Sequence, residues 1–394
     1  MRLGDILNFR RGHDLPKKKM KEGNYPVVGS NGVIGYHNDY TTESPCITIG
    51  RSGNVGKPHI VYEKAWAHNT TLYIDNFKGN SPEFIYYFLK TLDLGYYAGG
   101  SAVPTLNRNH IHPIEVNVPV NVEEQKKIAN ILLTLDEKIE TNNKVNGKLE
   151  EIAQALFRHW FVDFEFPNEN GEPYKSSGGE MVESELGLIP KGWKIVNLDE
   201  LTTKFTTGLN PRKNFVLGHG NNYYVTIKNM GNQQIYLDDK CDKIDDEALK
   251  VINKRSDLKK GDLLFSGIGT IGRVYLIDET PTSWNISESI FTLRPSDYIS
   301  SELLYLILLS EELQGYAQQL ASGSVQRGVR MRDLKAYKLS LPRKCLTDKF
   351  TSLVSPLIKQ QKNLVKENVR LTNIRETLLP KLLSGEIRIP LNDE

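Results

Sequence analysis

Short apolar runs separated by Gly, Asn and Pro occupy two stretches of this 394-residue chain. Such runs are typical of β-strands joined by turns, so each stretch is predicted to be mostly sheet. The clearest runs are Cys46–Ile49, Leu72–Ile74, Tyr224–Ile227 and Leu263–Phe265. A further strand followed by proline is predicted to close each stretch, at Ile114–Val118 in the first and at Lys338–Leu341 in the second.

A helix is also predicted within each of these stretches. In the first it covers Pro82–Leu92, because Ser81 can cap the helix and proline suits the first helical turn. In the second it covers Ser301–Leu320. Both stretches are therefore predicted to be mixed α/β domains in which sheet predominates.

A long segment with a helical stripe follows each sheet-rich stretch. Asn121, with Glu124 three residues later, resembles a capping box at the start of the first segment. The stripe positions recur in steps of three and four: Ile128, Leu132, Leu135, Ile139, Asn142, Asn146, Leu149, Ile152 or Ala153, Leu156 and Trp160, then Phe350, Val354, Leu357, Gln361, Leu364, Asn368, Leu371, Ile374, Leu378 and Leu382. This spacing predicts two coiled-coil helices that pack on each other in antiparallel orientation. Pro356 predicts that the second helix begins or kinks at that residue.

The same order of elements occurs twice along the chain. Trp66, Pro119 and Leu149 reappear as Trp284, Pro342 and Leu371, at separations of 218, 223 and 222 residues. A repeat of this length is too long for a solenoid unit and predicts two whole domains, each followed by its own helix. The predicted fold class is α+β, with two similar mixed α/β domains separated by two long antiparallel coiled-coil helices in a pseudo-twofold internal repeat.

The predicted domain boundaries follow this repeat. The first domain covers residues 1–120 and the first helix covers 121–165. The second domain covers residues 190–342, and the second helix with its tail covers 343–385. Residues 166–189 are rich in Gly, Ser, Glu and Pro, so they are predicted to be a mostly irregular connector.

Composition changes this picture little. Apolar residues make up 39% and charged residues 25% of the chain, and the longest strongly apolar run, Leu303–Leu309, is too short to span a bilayer. The first residues lack the apolar stretch of a secretory signal, and Cys46, Cys241 and Cys345 lack metal-binding or redox spacing. A cytoplasmic protein is predicted. The net charge of +2 argues against a generally basic nucleic-acid binder but leaves local basic patches open.

The most conspicuous candidate for cofactor chemistry is Gly267–Gly272, which matches a dinucleotide-binding fingerprint after a predicted strand. A phosphate-binding loop of that kind must open a helix, but strand-like residues Arg273–Ile277 follow it. The matching segment of the first copy, Arg51–Lys57, also lies between predicted strands. We therefore predict a tight hairpin at both places.

The sequence also lacks recognisable catalytic motifs. The sequence contains no P-loop, zinc-protease helix, serine-hydrolase elbow or adenine-methyltransferase segment. Asp257–Lys259 resembles the end of a nuclease motif, but such a tripeptide arises often by chance. Six of the eight histidines fall in the first domain and are not repeated in the second, which argues against a shared metal or acid–base site. No enzyme, catalytic residue or metal site is predicted.

Polar and basic residues in the loops are the remaining candidates. Arg can form a forked contact with guanine, and Asn or Gln with adenine, in the major groove of DNA. The candidates for such base contacts are Asn31, Arg51, Asn54 and Arg108 in the first copy, and Asn210, Arg212, Asn229, Arg273, Gln326 and Arg327 in the second. The candidates for phosphate contacts are Lys17, Lys18, Lys57, Lys213 and Lys228. A solvated surface role is the alternative for each residue, and the recurrence of a basic residue after the glycine turn, Lys57 and Arg273, favours DNA contact.

Several peptides together resemble the DNA-specificity (S) subunits of type I restriction-modification enzymes. They are Gly187–Trp193, Leu149–Phe157, Trp160–Phe164, Lys260–Ser266 and Lys381–Ile387, and the resemblance extends over essentially the whole chain. It implies two target-recognition domains that each read one half of a bipartite double-stranded DNA site, with antiparallel helices that measure the unread spacer. It also implies two modification (M) subunits, which use S-adenosylmethionine to methylate adenine, and restriction (R) subunits, which use ATP and Mg²⁺.

Two other classes of function stay open at this point. A coiled-coil scaffold with two protein-binding domains is compatible with the low net charge, and its binding would depend only weakly on salt. A nuclease or methyltransferase without recognisable motifs would cut or methylate DNA as the purified chain alone. The resemblance favours a DNA-recognition subunit with no catalysis or cofactor of its own.

Overall fold

The computed structural model describes residues 1–100, 104–231, 233–321 and 328–390. The chain forms two compact units. Unit 1 contains Met1–Thr141 together with Asn368–Glu394, and unit 2 contains Asn142–Glu367. Domain 1 below denotes residues 1–120 and domain 2 denotes residues 190–342.

Domain 1 consists of two sheets and short helices. Its strands are β1 (Asn8–Arg11), β2 (Tyr25–Gly29), β3 (Gly32–His37), β4 (Cys46–Gly50), β5 (Pro58–Val61), β6 (Trp66–Ala67) and β7 (Thr71–Asn76), and its helices are α1 (Leu3–Ile6), α2 (Pro82–Thr91) and α3 (Arg108–Ile111). The order in the larger sheet is β1-β7-β4-β5, with antiparallel neighbours. The smaller sheet has the order β3-β2-β6, in which β2 and β6 are parallel.

The long helix α4 (Val122–Phe161) is followed by the hairpin of β8 (Met181–Ser184) and β9 (Gly187–Pro190). Domain 2 then contains strands β10 (Lys194–Asn197), β11 (Thr202–Thr207), β12 (Asn222–Val225), β13 (Asp242–Ile244), β14 (Leu263–Ser266), β15 (Val274–Leu276), β16 (Trp284–Ile286), β17 (Ile290–Pro295) and β18 (Lys338–Leu341). Its helices are α5 (Asp246–Asn253), α6 (Ser301–Leu309), α7 (Glu311–Leu320) and α8 (Met331–Lys335), and helix α9 (Lys344–Ser384) follows.

The two main sheets have the same strand order in both domains, which confirms the predicted repeat, and domain 2 adds the antiparallel pair β10-β18. The sheet order β1-β7-β4-β5 of domain 1 becomes β11-β17-β14-β15 in domain 2, and β3-β2-β6 becomes β13-β12-β16. The repeated tryptophans occupy equivalent positions, because Trp66 lies opposite Val27 and Trp284 opposite Tyr223 in the parallel strand pairs. The glycine segments also connect equivalent antiparallel strands, β4 to β5 and β14 to β15, which confirms the hairpin prediction.

In unit 1 the core lies between the larger sheet and α2. The predicted start of α2 is confirmed, since the Ser81 hydroxyl accepts a hydrogen bond from the backbone N–H of Phe84. Phe84, Tyr87 and Leu89 of this helix are fully buried. Burial of each such side chain contributes about 1.5 to 3 kcal/mol relative to exposure. Both long helices also contribute buried residues to this core: Ile128, Ala129 and Leu132 from α4, and Leu379, Leu382 and Leu383 from α9.

In unit 2 the core is built around α6, whose residues from Leu303 to Leu308 are all buried. Aromatic residues of the long helices join this core. The Phe350 ring lies 5.3 Å from the Trp160 ring and 4.8 Å from the Phe161 ring, measured between ring centroids. These contacts hold the end of α4 and the start of α9 in the same core as the domain 2 sheet.

Helices α4 and α9 are antiparallel within each unit. In unit 1, Asp136 forms an ion pair with Arg375, and Lys127 donates to the backbone oxygen of Pro390. In unit 2, Asn142 donates to Glu367 over 2.9 Å. Within each unit, residues later in α4 therefore contact residues earlier in or near α9, as predicted for an antiparallel pair. The stripe is confirmed in part, because Ile374 is 47% exposed.

Three predicted elements need correction. Helix α9 begins at Lys344 and includes Pro356, so it does not start at the proline. The predicted helix Ser301–Leu320 is divided into α6 and α7. Ser310 caps α7, because its hydroxyl accepts a hydrogen bond from the backbone N–H of Leu313. Ile114–Val118 forms only an isolated bridge between Arg2 and Glu115. Most of the connector at 166–189 is irregular, and its end contains the β8–β9 hairpin.

Candidate nucleic-acid interface

In both domains the first strand of the larger sheet ends at a glycine that packs against another backbone. A Cβ atom on Gly12 would lie 2.1 Å from the carbonyl oxygen of His68. A Cβ atom on Gly208 would lie 1.7 Å from the carbonyl oxygen of Ile286. Neither position has room for a side chain, so the chain leaves the two sheets through the same close backbone contact.

A basic 3-10 turn follows each of these glycines. In domain 1 the turn is Lys17–Lys19, and in domain 2 it is Pro211–Lys213. All five basic side chains of the two turns are exposed, and within the described part of the chain none has a hydrogen-bond or ion-pair partner. The predicted phosphate contacts Lys17, Lys18 and Lys213 and the predicted base contact Arg212 thus lie at equivalent places, with their charged groups exposed.

A hydrogen bond between an acid and an amide supports each turn. In domain 1 the side chain of Asn69 donates to Asp14, and in domain 2 Asn210 donates to Glu288 over 2.7 Å. Asn210 also accepts a hydrogen bond from the backbone N–H of Arg212 over 2.9 Å. Both ends of its amide group are therefore engaged within domain 2. The contact of Asn210 with a base stays a prediction, and in the structure this side chain holds the turn.

The glycine turns of the two domains also match in their backbone hydrogen bonds. The N–H of Gly56 donates to Gly50 O over 2.8 Å, and the N–H of Gly272 donates to Ser266 O over 3.0 Å. Lys57, just after the first turn, is exposed. Its counterpart Arg273 is half buried.

Arg273 and Asn229, which are also predicted to contact bases, make hydrogen bonds within domain 2. The guanidinium of Arg273 donates to the carbonyl oxygens of Ile227 and Met230, and so joins two loops of domain 2. Asn229 is buried, and its carbonyl oxygen accepts from the N–H and the hydroxyl of Thr226, both over 3.0 Å. The neighbouring Lys228 is exposed.

The remaining candidates differ in accessibility. Asn31 is exposed in the turn between β2 and β3, and Asn54 is half buried in the first glycine turn. Gln326 and Arg327 lie outside the described residues.

Domain 1 contains a cleft of about 580 Å³ that includes the predicted residues Arg51 and Arg108. Arg10, Arg11 and His110 also line this cleft, and the sequence analysis did not single them out. A signal for the arginines was present, since two consecutive arginines precede the glycine at the end of β1. We refer to the pocket lined by Arg10, Arg11, Arg51 and Arg108 as the arginine cleft.

The ring of His112 lies behind the strand that carries Arg10 and Arg11. Its Nε2 accepts the backbone N–H of Phe9 over 3.1 Å, and the two rings are stacked. Burial lowers the pKa of His112, and the positive charges of Arg108 and Lys78 lower it further. The neutral ring that this favours is the form that can accept the hydrogen bond from β1.

No helix in the described residues is long and apolar enough to cross a membrane. Among the same residues, no group of three or more His, Cys, Asp or Glu side chains is arranged to hold a metal ion.

Two similar sheet domains that present basic turns at matching positions define a duplicated recognition protein. Comparison with known proteins identifies its family. The type I restriction modification DNA specificity domain matches residues 1–151 and 190–367. Because these segments make up most of the sequence, the chain belongs to this family.

Individual relatives agree with the family match. The type I restriction enzyme MjaIX specificity subunit of Methanocaldococcus jannaschii is 27% identical over 312 residues, which cover 78% of this chain and 69% of the relative. The HindI specificity subunit of Haemophilus influenzae is 25% identical, with coverage of 98% and 93%. The crystal structure of the type I restriction-modification S subunit from M. genitalium has the same fold, with a TM-score of 0.62, 17% identity and coverage of 97% and 95%.

Proposed function

We propose that this chain is the DNA-recognition subunit of a type I restriction-modification complex and that each domain reads one half of a bipartite double-stranded DNA site. The observation that carries the proposal is the recurrence of a basic 3-10 turn and a glycine turn at equivalent positions of two similar domains. A duplicated reader is suited to a target that has two parts. The family match supports DNA as that target.

The basic turns are proposed to position DNA through its phosphates. Phosphate contacts fix the register of a protein on the duplex, whereas contacts with base edges distinguish sequences. Lys17, Lys18, Lys57, Lys213 and Lys228 are all exposed and suit the first role. Sequence recognition then falls to side chains that reach base edges.

The chemistry of restriction and modification is proposed to reside in partner subunits. Modification subunits would bring S-adenosylmethionine to the recognised site, and restriction subunits would use ATP and Mg²⁺. This chain would dock them without catalysing a reaction, in the cytoplasm. The relatives support this division of labour, because they are named specificity subunits.

The long helices are proposed to set the length of the unread DNA spacer. Helix α4 has 40 residues and α9 has 41. At 1.5 Å per residue, each corresponds to about 60 Å. Antiparallel pairing of two such helices would give a stiff element whose length is fixed by residue number.

Selection from random-sequence duplexes would test the proposed function. The full chain, co-purified with the modification subunits of its host, should enrich a motif with two defined parts and an undefined spacer. The logarithm of its affinity should fall linearly with the logarithm of salt concentration, because each phosphate contact releases bound counterions. A complex that enriched no motif, with binding that hardly responded to salt, would instead support a protein-binding scaffold.

A further inference from the structure

The arginine cleft concentrates positive charge at one edge of domain 1. Arg10 is anchored by an ion pair with Asp75, and Arg108 donates to the carbonyl oxygen of Phe9 over 3.3 Å. Arg11 lies 3.8 Å from Asp14 and remains 58% exposed. Four guanidinium groups around one pocket repel each other, so the cleft favours a ligand that offers electron-rich acceptors.

Arg51 differs from the other three arginines. It is half buried, and within the part of the chain that the structure describes its side chain has no hydrogen-bond or ion-pair partner. Its backbone is fixed on both sides, because its N–H donates to Thr70 O and its C=O accepts from Leu106 N, each at a distance of 2.8 Å. A guanidinium without an internal partner, carried on a backbone that is held by hydrogen bonds, is available to bind a ligand.

The equivalent position in domain 2 is Gly267, which shows the same two backbone hydrogen bonds. Its N–H donates to Ser289 O over 2.9 Å, and its C=O accepts from Val329 N over 2.8 Å. A Cβ atom on Gly267 would lie 2.4 Å from the ring of Phe291. By strand register Phe291 corresponds to Leu72, which lines the arginine cleft in domain 1. A side chain larger than leucine thus occupies this space in domain 2.

The other cleft arginines are also specific to domain 1. By register, Arg10 and Arg11 correspond to Thr206 and Thr207 on β11. Arg108 begins α3 at the place where Met331 begins α8. Arg330, which is exposed, precedes α8 and corresponds to Asn107 rather than to a cleft arginine. The two domains therefore differ at all four of these equivalent positions.

We propose that the arginine cleft is a guanine-reading site, with Arg51 as the residue that recognises the base, and that Gly267 leaves domain 2 without an equivalent of this arginine. The inference rests on the proposed function, which it deepens by assigning a base to one half-site. The O6 and N7 atoms of guanine both accept hydrogen bonds in the major groove, and a guanidinium fork can donate to both. Cytosine and adenine present amino donors there, which four guanidiniums disfavour.

Phosphate is the competing ligand for such a cluster, and geometry favours guanine. The exposed lysines of domain 1 lie on turns where long flexible side chains can follow a backbone, as phosphate contacts require. Arg10 and Arg108, by contrast, are fixed by partners within the domain. Arg51 is therefore the cleft arginine whose guanidinium has no partner in the described part of the chain.

The test uses the full chain co-purified with its modification subunits and random-sequence duplexes, with Arg51→Ala, Arg51→Lys and Lys57→Ala. Wild-type protein should require guanine at a position in one half-site. Arg51→Ala should reduce the preference for that guanine by roughly 5- to 100-fold and leave the other half-site unchanged. Arg51→Lys keeps the charge but loses the forked donor pair, so it should also reduce the preference for guanine at this position. This variant replaces Arg51→Ala in the test if the alanine variant folds poorly.

Lys57→Ala is the matched control on the same loop. It should weaken binding to all sequences alike, lower the salt slope by about one and keep the motif. A motif without a required guanine, or an Arg51→Ala variant that loses affinity equally for every sequence, would overturn the guanine assignment while the proposed function stands. Failure of the wild-type complex to enrich any motif would overturn both.

Discussion

At the scale of single residues, the acid and the amide that bond below each basic turn have exchanged places between the two domains. Asp14 is the acceptor on the turn side in domain 1, whereas Asn210 is the donor on that side in domain 2. The domain 2 pair is partly buried, and Glu288 also accepts the hydroxyl hydrogen of Tyr224 over 3.0 Å. The exchange indicates that the loop requires one acid and one amide, in either order.

We expect Asn210→Asp to destabilise domain 2 by about 2 kcal/mol, because it places two carboxylates at hydrogen-bond distance in a partly buried site. The double variant Asn210→Asp with Glu288→Gln restores one acid and one amide and should recover about 1 to 2 kcal/mol. Urea denaturation of the two single variants and the double variant gives the coupling energy. Additive losses would show that the pair does not act as a unit.

Gly208 gives a second prediction at this scale. Gly208→Ala should destabilise the protein by about 2 kcal/mol or more, because a Cβ atom would overlap the Ile286 carbonyl and the backbone must move. Gly315→Ala is the matched control, because a Cβ atom on Gly315 in α7 would meet nothing within 4 Å among the described residues. It should stabilise the protein by up to about 1 kcal/mol. Equal melting temperatures for the two variants would contradict the close contact at Gly208.

Residue chemistry was easier to predict from the sequence than side-chain direction. Lys57 and Arg273 follow equivalent glycine turns, yet the first is exposed and the second binds two carbonyl oxygens. The carbonyls belong to Ile227 and Met230, more than 40 residues earlier in the chain. Local pattern cannot show which distant segment will supply a partner, so the recurrence of a basic residue suggested one role for both.

At the scale of elements, local signals predicted where structure begins better than where it stops. Ser81 correctly predicts the start of α2. Ser310 lies inside a single predicted helix, but in the structure its hydroxyl caps the start of α7. Pro356 predicts a start or a kink of the second helix, yet α9 begins at Lys344 and contains the proline. The apolar stripe of α9 continues through Phe350, Val354 and Ile358, which are buried, and that packing outweighs the local cost of proline.

Lys362 on α9 provides a prediction at this scale. Its ammonium group donates to the carbonyl oxygen of Leu276 over 3.0 Å, in a cleft of about 540 Å³ against domain 2. Burial lowers the pKa of Lys362 to about 8, and the nearby carboxylates of Asp278 and Glu302 only partly oppose this. The folded state thus binds its proton more weakly than the unfolded chain does.

We therefore expect Lys362→Met to be more stable than wild type below pH 8, by up to about 3 kcal/mol. The wild-type stability should rise between pH 8 and about 10.5, where the unfolded chain still binds the proton that the folded protein has lost. The advantage of the variant should disappear across this window. Lys359→Met, on an exposed residue of the same cleft, is the control, and as a surface substitution it should change the free energy of unfolding by no more than about 0.5 kcal/mol at pH 7. A constant difference between Lys362→Met and wild type at all pH values would contradict the buried charge.

At the scale of the whole molecule, the repeat could be read from the sequence but the sheet order could not. Three residue pairs at nearly constant separation were sufficient to predict two similar domains. The parallel pairing of β2 with β6 joins residues almost 40 positions apart, with β3, β4 and β5 between them in the chain. Non-local pairing of this kind leaves no periodic signal, so the shared topology and the arginine cleft emerged only in three dimensions.

Removal of whole turns from both long helices tests the proposal that they set the DNA spacer. Deletion of residues 137–143 from α4 together with residues 368–374 from α9 removes seven residues, about two turns, from each helix and keeps the phase of the stripe. This corresponds to about 10 Å, or roughly three base pairs at 3.4 Å each, so the preferred spacer should shorten by about three base pairs. Both half-sites should stay the same, because neither domain has changed.

The measurement is a selection, by the complex with its modification subunits, from duplexes that carry both half-sites at every spacer length. Replacement of the same residues by seven others that keep the apolar stripe changes the sequence but not the length, and it should leave the spacer preference unchanged. An altered spacer in this control would mean that side chains of the segment, rather than helix length, determine the preference. An unaltered spacer in the deletion variant, with both half-sites still selected, would show that the helices do not measure the DNA.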